Sequence, residues 1–224
     1  MIRAVALFLC LAGPVAAQET PFRFDLPAGC EAYVTMQAAN CKVTHYFTCE
    51  ADPEGHQRAV VLDEQGITHV ARIDSEAQWI ELFHPLAGTS ERLESQPMEP
   101  ASFSDLLANQ VDEYDFQTLS DQTGPTRYVG QDRLTGRQVV IDGVTLDETA
   151  YEITAYTAAG DEIWHIKGNE FINRDWRRFF PGTSVVTTPN GRVERNGSPV
   201  EFMFPDESGF LSTRPKHGCG LAIS

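Results

Sequence analysis

Apolar and polar side chains alternate along much of this chain with a period of two, the period of β-strands. In the segment from Cys41 to Cys49, Val43, His45 and Phe47 fall on the face of the two cysteines. Residues 58–62 and 67–73 flank a turn at 63–66, and residues 137–141 and 144–148 flank Asp142-Gly143. Residues 151–157 and 162–167 flank a turn at 158–161, and Asn190-Gly191 and Asn196-Gly197 punctuate the last third. Short β-rich runs with turn residues at about ten-residue spacing predict an all-β antiparallel meander, either a half-open barrel or a curved sheet.

Register can be tested on paper. Around Asp142-Gly143, Val139 faces Leu146, Ile141 faces Val144, and Arg137 faces Glu148 as an opposite-charge pair. Around the turn at 158–161, Ile153 faces Ile166 and Ala155 faces Trp164, while Thr154 faces His165 on the other side. Each hairpin then has one apolar and one mixed face, as in a sheet packed on one side. One helix interrupts the strands near 102–110, with Ser102 as N-cap and Asp105 at N3. It is suited to plug a barrel end or cover an open sheet. Gln96-Pro97 precedes it and marks the one candidate division of the chain, near residue 100. A faint echo relates Trp79, Pro85 and Gly88 to Trp176, Pro181 and Gly182. The expectation is one β-rich domain over 18–224.

The cysteines change the picture. Residues 1–17 read as a secretory leader: Arg3, an apolar run of about ten residues, then small residues with cleavage after Ala17. Cys10 falls inside it. The expected location is therefore the bacterial periplasm or the exterior. No later stretch approaches the ~18 apolar residues of a membrane span. Cys30, Cys41, Cys49 and Cys219 remain, an even count that reads as two disulfides in an oxidising compartment. An extended strand holds Cys41 and Cys49 roughly 26 Å apart, too far to bond. Folding residues 30–36 back through Ala39-Asn40 opposes Cys30 to Cys49, Ala32 to Phe47, Val34 to His45 and Met36 to Val43. That pairing is Cys30–Cys49, with Cys41–Cys219 by elimination; the rival is Cys30–Cys41 with Cys49–Cys219. Thiols that pair leave no zinc site, although Cys41, His45, Cys49 and His56 have conceivable ligand chemistry.

Charge narrows the function classes. With 17 Lys and Arg against 32 Asp and Glu, the net charge of −15 makes the chain a poor partner for nucleic acid or an anionic membrane. The familiar catalytic and phosphate-binding motifs are missing, and no cofactor is expected. A catalytic carboxylate pair would be hidden among 32 acids. The expected ligand-lining residues are Trp79, Trp164 and Trp176, with Arg177 and Arg178 as anion anchors and His45 as a buried titratable group. For each, a core or strand-edge role is the competing explanation. A half-open sheet with one covering helix resembles, in outline alone, periplasmic lipoprotein carriers of the LolA type; no motif is shared, so the resemblance implies nothing about function. The reading is an exported, non-catalytic β-protein that binds an amphipathic, lipid-like ligand or an envelope partner. The alternatives are a periplasmic hydrolase using carboxylate or histidine acid–base chemistry, and a structural subunit of an envelope complex.

Overall fold

A computed structural model describes residues 23–220; the leader read into residues 1–17 lies outside them. The strands are β1 (Cys30–Ala38), β2 (Lys42–Cys49), β3 (Gln57–Asp63), β4 (Gly66–Ile73), β5 (Trp79–His84) and β6 (Thr89–Leu93). The helix α1 (Phe103–Asn109) follows. Then come β7 (Val111–Ser120), β8 (Gly124–Ile141), β9 (Val144–Thr157), β10 (Glu162–Asn173), β11 (Arg178–Thr188), β12 (Gly191–Asn196) and β13 (Pro199–Met203).

All thirteen strands form one antiparallel sheet, a meander from β1 to β12 with β13 returning beside β1. The ladder is not closed: β12 and β13 are its edges. Yet these edges are consecutive in the chain and, by the alternation of directions, run the same way. Only Gly197 and Ser198 join them. Gly197 N donates to Gly182 O in β11, and Ser198 O accepts from Ala39 N just after β1. The chain thus passes from one end of the sheet to the other at this joint, and Asn196-Gly197 is not a hairpin turn. The sheet curls around an interior.

The expected pairs around Asp142-Gly143 and 158–161 are present: Val139 with Leu146, Ile141 with Val144, Ile153 with Ile166, Ala155 with Trp164. Arg137 and Glu148 form an ion pair. The strands are longer than the alternation predicts. The pieces expected at 137–141, 144–148 and 151–157 belong to strands of 18 and 14 residues. A register shift between Leu134 and Gln138 interrupts the period and hides this continuity.

In the first hairpin Cys30 opposes Cys49 and Ala32 opposes Phe47, as expected. A bulge between Ala32 and Val34 then shifts the register, so Val34 opposes Tyr46 and His45 opposes Thr35. The expected Val34–His45 and Met36–Val43 pairs do not form. Val34, Met36 and Tyr46 consequently share the inner core with Phe171, Phe180 and Phe202. Val43, Phe47, Val60 and Leu62 pack on a second cluster with Leu211, Phe24 and Phe210. The first strands are therefore buried on both faces, unlike a sheet packed on one side, because both ends of the described chain lie across their outer face. Phe24 N donates to Leu211 O, Leu211 N to Thr35 Oγ1, and Lys216 N to Gln37 Oε1. The Cys41–Cys219 disulfide fastens this C-terminal strap, and Cys30–Cys49 staples the hairpin.

Helix α1 begins where its cap predicts. Ser102 is extended and its hydroxyl accepts from Asp105 N at 3.1 Å. Gln110 ends the helix in the left-handed region, φ 65°. Phe103 and Leu106 are buried with Ile172, Leu134 and Phe179.

Candidate functional site

Inward rows of four neighbouring strands, β7 to β10, build a cavity. On β7 the alternating residues Asp112, Tyr114 and Phe116 are buried. They oppose Asp132, Gly130 and Tyr128 of β8. Next across the sheet, Tyr151 opposes Asp132 and Ile153 opposes Gly130; beyond them, on β10, stand Trp164, Ile166 and Glu170. Gly130 is needed here: a Cβ on it would lie 2.5 Å from Glu152 O and 2.7 Å from the Tyr114 ring. Its missing side chain lets the tyrosine cross the strand. These residues, with Gln78, Trp79, Phe103, Arg178 and Phe179, line a partly open cavity of about 260 Å³.

The cavity has two kinds of wall. The apolar wall is aromatic: Trp79 packs edge-on against Phe116 at 5.8 Å and Tyr128 at 5.4 Å, and Tyr128 meets Trp164 at 5.9 Å. Trp79 is 43% exposed, so it stands at the rim. The polar wall is acidic. Asp112 Oδ2 accepts from Ser102 N, while Asp132 Oδ1, Gln78 Nε2 and Arg178 Nη1 have no hydrogen-bond partner. Those three side chains are 8%, 2% and 7% exposed. Buried polar groups in folded proteins are nearly always satisfied, so three orphans around one cavity stand out. Glu170 is half-buried and lines the same cavity.

Burial sets the charge state of the acids. It pushes the Asp112 carboxyl up to about 6, with Asp105, Glu99 and Glu76 adding to the rise against the Ser102 N–H. Burial raises both the Asp132 and the Glu170 carboxyl well above the ordinary range, with Asp112 adding to the rise of Asp132 and Asp132 to that of Glu170. Tyr114 and Tyr151 are raised as well by burial, Tyr151 to about 12, so both stay neutral donors. No ion pair to Asp132 or Glu170 occurs among the described residues. The pair is suited to hold a proton near neutral pH, or to receive a cation in its place.

Of the side chains that the sequence suggested as ligand-lining, Trp79, Trp164 and Arg178 border the cavity. Trp176 does not: it packs among Tyr33, Phe180, Phe202 and Phe204. Arg177 clamps α1 from outside, reaching Ser75 O and Glu76 at 2.8 Å and lying 4.9 Å over the Phe103 ring. His45 is remote, buried under Phe24 with Nδ1 2.9 Å from Thr35 Oγ1. The acids went unread. Their signal was the alternation itself, since Asp112 shares the row of Tyr114 and Phe116, and Glu170 the row of Trp164 and Ile166.

Comparison with protein families, curated proteins and solved structures finds no match for the chain. The site is therefore interpreted from its own chemistry. Among the described residues, one cluster has metal-ligand spacing, Cys41, Glu64 and Cys219. Its two sulfurs form a disulfide and offer no thiolate. No described helix is long and apolar enough to cross a membrane.

Proposed function

We propose that this is an exported binding protein whose cavity takes a small amphipathic molecule. The observation that carries the reading is the cavity's division: an aromatic wall at the rim, and orphaned buried polar atoms of Asp132, Gln78 and Arg178 opposite. Such a surface complements a ligand with an apolar body and a polar head. A volume of about 260 Å³ suits a small molecule or a short chain and is too small for a two-tailed lipid. Two disulfides are compatible with an oxidising destination, and the leader at 1–17 would direct export there. Native mass spectrometry of protein recovered from the periplasm should find a retained small-molecule adduct that Ile153→Trp, which fills the cavity, removes. A clean apo mass, together with no thermal stabilisation by any member of a small amphiphile panel, would sink the reading.

A second reading rests on the acid pair. A carboxyl kept protonated near neutrality beside a second acid is the equipment of a general acid–base hydrolase. It predicts turnover of a small ester or glycoside that Glu170→Gln abolishes. Adduct retention without turnover favours binding.

A further inference from the structure

The acids and aromatic rings point to the head group. Resting on the cavity's binding role, we propose that its ligand is a small protonated amine, the ammonium seated between Asp132 and Glu170 and the apolar body against Trp79 and Trp164. Asp112 and Asp132 stand directly opposite each other on an inward face, where like charges destabilise a sheet. Glu170 adds a third acid to the same cavity. The one cation on the lining, Arg178, makes no ion pair to these acids among the described residues. Its guanidinium lies 4.6 Å over the Tyr46 ring beside the Tyr33 hydroxyl. The chain thus places three acids on one lining and gives Asp132 and Glu170 no ion pair among the described residues.

An ammonium matches both halves of the deficit. Its N–H groups satisfy Asp132 Oδ1, which has no partner, and reach the Glu170 carboxyl on the same lining. Its charge is also attracted by the faces of the tryptophans and tyrosines that line the site. A metal ion is a poorer match, because no three acid oxygens of the cavity lie within mutual ligand distance among the described residues. Gln78 Nε2 and Arg178 Nη1 remain as donors for an acceptor oxygen on the same ligand.

The test uses three probes that share one body: phenethylamine, phenethyl alcohol and phenylacetate. Calorimetric titration at pH 8 should find phenethylamine bound at least about tenfold more tightly than the alcohol, with phenylacetate weakest. Asp132→Asn and Glu170→Gln should each erase that preference, so that phenethylamine binds no more tightly than the alcohol. Circular dichroism and thermal melts check that both variants fold. Equal or tighter binding of the alcohol or of phenylacetate overturns the amine assignment and leaves the cavity a binding site. Failure of all three probes to bind overturns the site itself, and the assignment with it.

Discussion

Burial pushes the His45 imidazole down to about 4 from an ordinary 6.5. Between those values the unfolded chain takes up a proton that the folded chain refuses. Stability therefore falls as the pH drops through this window, by ~3 kcal/mol for a shift of this size. His69, also lowered to about 4, adds to the same slope. Urea unfolding at pH 7 and pH 4.5 should find this loss, and His45→Gln should flatten it; an unchanged slope would remove His45 as its source. The acid pair works in the opposite sense. Because the Asp132 and Glu170 carboxyls are raised in the fold, their contribution is fullest in acid and is lost as the pH rises through the folded values. Asp132→Asn is thus expected to raise stability at pH 8 by ~1–3 kcal/mol and to do little at pH 4. A thermal melt at each pH decides it, and a lower melting temperature at pH 8 would mean the charge is already compensated. At this scale legibility was uneven. The disulfides could be derived because a strand fixes where a side chain points. The site acids could not be singled out because polarity alone does not separate a buried carboxyl from its many exposed counterparts.

The helix was legible because a cap is local chemistry: Ser102, three residues before Asp105, needs no tertiary information. Ser102→Ala should cost ~1 kcal/mol by this contact alone. Phe103→Ala should cost more, ~3 kcal/mol or above, since the ring is buried against Ile172 and Phe179 and stacked under Arg177. Denaturant midpoints of the two variants should rank in that order; equal losses would mean that the plug is held by its cap and not by its buried ring. Strands resisted the reading where they bulge. The shift after Ala32 moves His45 from Val34 to Thr35, and the break after Leu134 hides that residues 137–141 continue a strand begun at Gly124. A bulge inserts one residue without altering composition, so alternation loses phase there and nothing nearby announces it.

For the molecule as a whole, the meander was visible in the turns, but its return was not. Nothing local distinguishes the joint at Gly197 and Ser198, which carries the chain across to β1, from another hairpin. The strap beyond it depends on contacts about 176 residues apart in the chain, between Leu211 and Thr35. The disulfides should report this asymmetry. Cys41–Cys219 spans 178 residues and Cys30–Cys49 spans 19. Replacing the first pair by serines should cost ~2–5 kcal/mol and speed amide exchange on β1 and β2. If exchange there stays at the native rate, the strap holds without its sulfur link.

That strap also dictates a timetable. A chain emerging amino-end first makes β1 and β2 early, yet their outer cover, Leu211, and the sulfur that locks it, Cys219, follow much later, Cys219 standing 178 residues after Cys41. Until Leu211 has been made, Val43, Phe47 and Leu62 lack that cover and present an apolar surface. The covering of that face and the pairing of Cys41 therefore wait together on the strap that carries Leu211 and Cys219.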